Sequence, residues 1–442
     1  MTNTLRHLWE SLTSSLWFVP SIMTVLALCL ALLSIALDSV LESKMRWAYG
    51  GGPEGARAVL AAIAGSMITV AGVAFSIMIV ALTLASQQFG PRLLRNFMRD
   101  TGNQVVLGTF IATFTYCLIV LRTIRGGESE FVPHVSVTLA IVFALVGLGV
   151  LIYFIHHAAV SIQAPEVIAL VANDLEQGIE RLFPERLGHP PQEDQKILSQ
   201  EIVNDFETRG DTIEATESGY LQSIDNAKLM AVAQEKALVL LVKCRPGDFV
   251  VSGGELARCQ PRGVDDDTAK AIQQAFIFGT QRTHLQDVEF SIDQLVEVAV
   301  RALSPGVNDP FTAINCIDRM AAALCLLAQR SFPSPFRHDD RGKLRVIARP
   351  VTFAGMVNAA FDSTRQYGRS SVAVTIRLLE AIATVARCVK WQAGRDALLV
   401  QALMIERASR EVSLVEKDRA DVEERLRKAL DALNAGPIPA AP

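Results

Sequence analysis

The residues most able to perform acid–base or metal chemistry are one histidine and two carboxylates that lie close together in the chain. His284 is followed by Asp287 and Glu289, a set that could transfer protons or form part of a metal site. The favoured interpretation is a surface ion pair. The sequence contains no nucleophile elbow, zincin helix, phosphate-binding glycine loop or dinucleotide fingerprint. We therefore expect neither an enzyme nor a metal or cofactor site.

Cysteines are the other candidates for metal or redox chemistry. The chain has seven, at Cys29, Cys117, Cys244, Cys259, Cys316, Cys325 and Cys388. None forms a Cys-x-x-Cys pair, and none lies at ligand spacing from a histidine. An odd, dispersed set of this kind predicts reduced and buried thiols rather than a disulfide framework.

A stripe of small and hydroxylated residues indicates a different role. It could pack against another helix, or its hydroxyls could solvate a permeating species. Its members recur at helical spacing, at Ser66, Thr69, Ser76, Thr83 and Gln87. In lipid such a face packs closely against another helix, which is the first interpretation. The second is that it lines a water-filled path in an oligomer, although the sequence has no acidic ring or known filter.

Three arginines follow this stripe. After the break at Gly90-Pro91, a helix begun by Pro91 would place Arg92, Arg95 and Arg99 on one face. This segment could form a collar along the membrane surface, with its arginines toward lipid phosphates. Equally, it could be a plain turn whose positive charges only set the topology.

Four segments are long and apolar enough to cross a bilayer, which requires about 20 residues. They run approximately from Leu16 to Leu37, Ala58 to Ala85, Val105 to Leu121 and Val135 to His157. None contains Asp, Glu, Lys or Arg. The arginines between the second and third spans indicate that this loop and both termini are cytoplasmic. We expect a multi-pass protein of the bacterial inner membrane.

The composition becomes globular after Pro165, which indicates a soluble region. We predict a transmembrane domain over 1–165, a helical connector over 166–208, a small β-barrel or sandwich over 209–262, a helical cytoplasmic domain over 263–433 and a disordered tail over 434–442. Short β-prone runs around RPGD at Arg245 and SGG at Ser252 support the β region. From Asp265 the chain is predicted to be helical, ending in one long helix from about Asp396 to Leu433.

The sequence ALSPGVNDPFTA is interpreted as a junction between two helices. Ser304-Pro305-Gly306 ends an apolar helical stripe, and Asn308-Asp309-Pro310 begins the next helix. Asp309 is predicted to cap that helix and Pro310 to occupy its first turn. Because its one carboxylate is engaged in capping, the junction is structural rather than catalytic.

Two of these stretches resemble a known family. LASQQFGPRLLRNFMRD and ALSPGVNDPFTAINCID look like the best-known stretches of the bacterial predicted membrane proteins catalogued as domain of unknown function 2254. The resemblance extends through RPVTF and FDSTRQYG. It implies four N-terminal spans and a long soluble region, and it brings no established activity. Where that family's pattern has serine before Pro91, this chain has Gly90, which weakens any role for a hydroxyl there.

These observations favour an oligomeric integral membrane protein with a channel-like or transport-related role and a cytoplasmic regulatory domain. The alternative is a non-transporting scaffold or sensor whose soluble domain binds a partner or ligand. The expected partners are the lipid bilayer and further copies of the chain. Nucleic acid is not expected, because the net charge is only −4.

Overall fold

The computed structural model describes residues 15–40, 49–93, 100–126, 130–183, 205–412 and 415–435. The chain divides into two compact units, Met1–Glu166 and Val167–Pro442. Most of the described chain is helical, and both β-sheets lie in the second unit. The mainly α-helical class with some β structure in the C-terminal part is therefore confirmed.

The described part of the first unit contains four long apolar helices that largely coincide with the four predicted spans. They are α1 (Phe18–Val40), α2 (Pro53–Phe89), α3 (Thr101–Thr123) and α4 (His134–Ser161). α3 and α4 each pack against the other three helices, and α3 makes the more extensive contact with α1 and α2. At 1.5 Å per residue, the 37 residues of α2 extend roughly 55 Å. This is well beyond the hydrocarbon core of a bilayer, which is about 30 Å thick.

Large apolar side chains cover the outside of the first unit as well as its inside. The interior is filled by residues such as Leu60, Phe110 and Tyr116, each fully buried. Outward-facing leucine, valine and isoleucine side chains that are at least half exposed include Leu32, Val80, Leu145 and Ile152. An exposed apolar surface of this extent is unusual in water, and it is the surface expected of helices that contact lipid.

The remaining helices carry the chain through the C-terminal region. They are α5 (Ala164–Leu182), α6 (Asn226–Glu235), α7 (Asp266–Gln273), α8 (Val288–Ala302), α9 (Pro310–Ala328), α10 (Phe353–Gly368), α11 (Val372–Cys388), α12 (Gln392–Arg410) and α13 (Glu416–Asn434). Aspartates cap several of them: Asp225, Asp265, Asp287 and Asp309 each accept a backbone N–H in the first turn of the helix that follows.

Among the described residues, five helices are long and apolar enough to cross a membrane by length and composition. Four are α1 to α4, and the fifth is α9. In α9 half of the most apolar window is buried, against 22% in α1, α2 and α4. It packs against α8 and α11. The apolar residues of α9 thus contribute to the core of the second unit.

Among the described residues of the second unit, eight short strands form two sheets. The strands are β1 (Asp211–Glu214), β2 (Gly219–Ile224), β3 (Val239–Val242), β4 (Phe249–Val250), β5 (Glu255–Gln260), β6 (Phe276–Gly279), β7 (Phe336–His338) and β8 (Leu344–Ile347). One sheet has the order β1-β5-β3-β8-β7 and the other the order β4-β2-β6. Of the strand pairs that the structure describes, only β3 and β8 run parallel, with Leu240 opposite Val346. Buried residues of both sheets, including Leu221, Leu240 and Phe276, belong to one core cluster.

The expectation of an all-helical chain after Asp265 is wrong, because β6, β7 and β8 lie beyond it. The strands therefore extend outside the predicted 209–262 segment. The reason is that β3 lies in the middle of its sheet and needs a partner on each side, and β8 supplies the second one.

The predicted last long helix is also wrong, because α12 ends at Arg410 and α13 begins at Glu416. Both helices pack against α11, so the chain turns back instead of continuing in one direction. Val415 precedes α13 and is 66% exposed, whereas Val422 is buried. From residue 436 the predicted tail lies outside the described residues.

The junction between α8 and α9 is a tight turn held by Asp309. Asp309 Oδ1 accepts hydrogen bonds from the backbone N–H groups of Phe311 and Thr312 at 3.0 and 3.1 Å. The Thr312 hydroxyl donates to Asp309 Oδ2 at 2.6 Å. Pro310 occupies the first turn of α9, and Asn308 adopts a left-handed conformation with φ of +49°. Asparagine tolerates this conformation better than most residues.

We expect Asp309→Ala to destabilise the second unit by about 1 kcal/mol, because two amide donors of α9 lose their cap. The thermal midpoint of the full chain in detergent should fall by about 2 to 4 °C. Asp309→Asn should retain most of the stability, and Asp340→Ala, at an exposed turn, should have no effect. Equal midpoints for the alanine variant and wild type would contradict the capping role.

The same cap predicts a pH dependence. The hydrogen bond from the Thr312 hydroxyl, together with the two backbone amides, holds the pKa of Asp309 below its ordinary value. The stabilisation should therefore be complete above the ordinary aspartate pKa of about 3.9, and be lost as the pH falls through the lower folded value. The midpoint difference between wild type and Asp309→Ala should shrink in this acidic range.

Candidate functional site

The sequence-predicted stripe lies on the outward face of α2. Its five members, which we call the α2 stripe, are all exposed: Ser66, Thr69, Ser76, Thr83 and Gln87. The opposite face of the same helix packs into the four-helix interior through residues such as Leu60, Met67 and Met78. The 3.6-residue period of the helix separates these two faces. Contact between helices of one protomer therefore does not explain the α2 stripe.

The four hydroxyls of the α2 stripe are satisfied by their own helix. Each donates to the carbonyl oxygen four residues earlier, at 2.7 to 2.9 Å. The hydroxyl oxygens can still accept a hydrogen bond from outside the helix. Beside them, a Cβ added at Gly65 or Gly72 would meet no atom within 4 Å. The α2 stripe thus combines a polar surface with room for close approach of another molecule.

The arginine collar can be located only in part. Arg92 lies exposed in a short 3₁₀ turn over Pro91–Leu93, while Arg95 and Arg99 lie outside the described residues. Gly90 ends α2 with φ of +110°, a conformation that side chains with a Cβ rarely adopt. This explains physically why glycine suits the position where the family pattern has serine.

A buried carboxylate joins α1 to the start of α4. Asp38 accepts hydrogen bonds from the backbone N–H groups of Val135 and Ser136 at 2.8 and 2.9 Å. The Ser136 hydroxyl lies 2.6 Å from the same carboxylate. α4 follows Pro133, whose side chain forms no cap. Asp38 therefore supplies the missing cap from another helix.

Two hydrogen bonds of Tyr116 extend this cluster to α3. Tyr116, fully buried, donates from its phenol to the backbone carbonyl of Ser136 at 3.1 Å. Its oxygen lies 2.9 Å from Ser34 Oγ, which in turn lies 3.0 Å from Ser136 Oγ. We call Ser34, Asp38, Tyr116 and Ser136 the Asp38 network. Its polar atoms bond to one another, so it links three helices without opening a polar channel between them.

A contact between a carboxylate and a histidine lies at the start of α3. Asp100 caps α3 by accepting from the N–H of Gly102 at 2.8 Å, and its other oxygen lies 2.5 Å from His157 Nε2 near the end of α4. The ring of Tyr153 stacks on His157 with centroids 5.3 Å apart. His157 is therefore a contact between two helices and more than a polar residue at the end of a span.

The acid–base candidates predicted from the sequence, His284, Asp287 and Glu289, lie in the second unit, where both carboxylates bind arginines. Asp287 caps α8 and accepts from Arg282 at 2.7 Å, and Glu289 accepts from Arg245 at 2.6 Å. His284 Nδ1 lies 3.5 Å from the Ser291 hydroxyl. Burial raises the pKa of both carboxyl groups. Asp287 and Glu289 thus pair with arginines while largely buried, rather than forming the surface ion pair of the favoured sequence interpretation.

The cysteines are free thiols dispersed over both units. Cys117, Cys244, Cys259 and Cys316 are buried, whereas Cys29 is exposed on α1. Burial raises the pKa of the Cys244 thiol to about 12. Within the part of the chain that the structure describes, no three His, Cys, Asp or Glu side chains are grouped as ligands for a metal ion.

Comparison with known proteins decides the family. The model of the family described as "Predicted membrane protein (DUF2254)" matches residues 13–384. The chain belongs to this family. The resemblance inferred from the sequence is thus confirmed, and the DUF2254 protein is a membrane protein with several apolar helices.

Two relatives that the DUF2254 protein resembles along most of its length are described as uncharacterized proteins. An uncharacterized protein of Mycobacterium bovis is 31% identical over 437 residues, covering 96% of this chain and 81% of its own length. An uncharacterized protein of Mycobacterium tuberculosis strain H37Rv has the same identity and coverage. No solved structure matches this DUF2254 protein.

Sequence reasoning missed the Asp38 network and the Asp100–His157 pair. A signal for the first was present, since α4 begins at a proline without a capping side chain nearby. The second joins residues 57 positions apart, and no local pattern indicates such a pairing.

We expect Asp38→Ala to destabilise the DUF2254 protein by about 1 to 3 kcal/mol, because buried donors at the start of α4 lose their acceptor. Unfolding of the detergent-solubilised full chain measures this change. The matched control is Ser39→Ala, since the neighbouring hydroxyl is exposed and bonds only within its own helix. Equal stability of the two variants would show that the Asp38 network does not hold α4.

Proposed function

We propose that this DUF2254 protein is a four-span protein of the bacterial inner membrane that assembles through the α2 stripe into an oligomer with a channel-like or transport-related role. The observation that carries the proposal is the position of the α2 stripe. Its hydroxyls lie on an outward face of the protomer, where packing within the described unit does not account for them.

The interior of the first unit supports a path between protomers rather than through one. The interior side chains are predominantly apolar, and polar groups such as those of the Asp38 network are bonded to one another. A permeating ion would need partners to replace its water shell. Among the described residues of the first unit, the α2 stripe is the extended hydroxylated surface that could offer them.

The proposed topology has α1 to α4 in the membrane and α9 in the soluble region. α9 packs against α8 and α11, and its Asp318 forms an ion pair with Arg377, both of which favour a globular core position. The arginines at 92, 95 and 99 then favour a cytoplasmic loop between α2 and α3. The region from about residue 166 onward would be a cytoplasmic regulatory domain.

One observation favours the second candidate, a scaffold or sensor that transports nothing. Each hydroxyl of the α2 stripe already donates within its own helix, and two glycines allow close approach. Such a face can form a dry contact between helices as well as a wet one. In that case the four spans anchor and oligomerise a soluble domain that binds a partner or ligand.

Disulfide cross-linking tests whether the α2 stripe contacts another copy. In a Cys29→Ser background, Ser76→Cys should give a covalent dimer on mild oxidation in native membranes. The matched control is Leu145→Cys on α4, which is 65% exposed but lies outside the α2 stripe. Equal dimer yields from the two variants, or a monomer from Ser76→Cys, would contradict assembly through α2.

Ion flux from proteoliposomes separates the two candidates. The channel-like role predicts flux through reconstituted wild-type protein and its loss in Thr69→Leu and Ser76→Leu, because leucine removes the hydroxyls and narrows the path. Val146→Leu, at an exposed position on α4, should retain flux. Cross-linking through Ser76→Cys without any wild-type flux would favour the scaffold and reject the transport role.

A further inference from the structure

A cavity of about 540 Å³ lies between the ends of α10 and α12 in the second unit. Its wall includes Arg365, Tyr367 and Arg369 from the end of α10, and Met404, Arg407 and Glu411 from the end of α12. We call it the arginine cavity. Its volume is within the range of small-molecule sites, which is about 300 to 1,000 Å³.

The arginine cavity has an excess of positive charge. Three guanidinium groups face one carboxylate, that of Glu411. Among the residues that the structure describes, no ion pair or hydrogen bond engages the side chains of Arg369 and Arg407. Nearby Arg410 differs, because it pairs with Glu406 and does not line the cavity.

The guanidinium group of Arg365 lacks acceptors for some of its hydrogen-bond donors, although the side chain is mostly buried. Its side chain is only 12% exposed, and its one described ion pair, to Asp362, is long at 3.4 Å. Its Nε is buried without a hydrogen-bond partner. Buried donors in folded proteins nearly always have an acceptor, so an external acceptor at this place would complete the site.

Neutralisation of helix ends explains only part of this arrangement. α10 and α12 both end beside the cavity, and basic residues are favourable in the last turn of a helix. That effect accounts for a positive charge at each end. It does not account for a cavity of this size between them, nor for a guanidinium that is buried without a full set of acceptors.

We propose that the arginine cavity binds a small phosphorylated ligand with a planar ring. Arginine suits phosphate because its planar fork donates two parallel hydrogen bonds. The ring would lie against Tyr367 and Met404, which are 58% and 36% exposed and form the apolar part of the wall. A free nucleotide and a lipid headgroup share the phosphoryl group, and only the nucleotide has the ring. This site is independent of any transport role.

Calorimetric titration of the full chain in detergent tests the proposal, with ADP, pyrophosphate and dioctanoyl phosphatidylglycerol as probes. We expect ADP to bind, and Arg369→Gln and Arg407→Gln each to weaken it at least tenfold. These exposed positions were chosen because Arg365→Gln could unfold the protein. Arg410→Gln is the matched control on the same helix, and it should leave ADP binding unchanged.

Comparison of the three probes identifies which part of the ligand is bound. Tyr367→Ala should weaken ADP binding and leave pyrophosphate binding unchanged, which supports the ring contact. If phosphatidylglycerol binds, ADP does not, and binding depends on the same arginines, the phosphoryl site is supported. The proposed contact with a planar ring is then contradicted. Absence of binding by all three probes at millimolar concentration, or equal loss in the Arg410→Gln control, would overturn the proposal.

Discussion

A polar group inside a lipid bilayer has no water to bond with, so protein atoms must satisfy each one. The first unit meets this constraint in two ways. Asp38, from α1, bonds the free N–H groups at the start of α4, and the hydroxyls of the α2 stripe bond the carbonyls of their own helix. The first solution ties helices together, whereas the second leaves a helix face free for another partner.

This difference determines what the first unit can do. In the described part of this unit the interior is mainly apolar and the polar groups of the Asp38 network are bonded to one another, so it offers a permeating species few partners. The α2 stripe offers hydroxyl oxygens and little steric hindrance on the outside. The proposal is that a path or contact depending on these groups involves a second protomer, so oligomerisation is part of the proposed function.

The sequence predicts local features and misses distant ones. The four apolar helices and the Asp309 cap follow from apolar length and from side chains within three residues of each other. β8 pairs with β3 across more than a hundred residues, and α13 folds back on α11, so both depend on packing that no local pattern encodes. The arginine cavity likewise arises only when two helix ends, far apart in sequence, come together. The helical spacing of the α2 stripe can be recognised in the sequence. Only the structure shows that the stripe faces outward from the protomer.

The most direct test of the account is a cryo-electron microscopy structure of the full chain in lipid nanodiscs, read for protomer number and for the direction of the α2 stripe. We predict a cyclic oligomer in which Ser66, Thr69 and Ser76 face the symmetry axis or the neighbouring protomer. A monomer, or an oligomer in which these three side chains face lipid, would contradict the account.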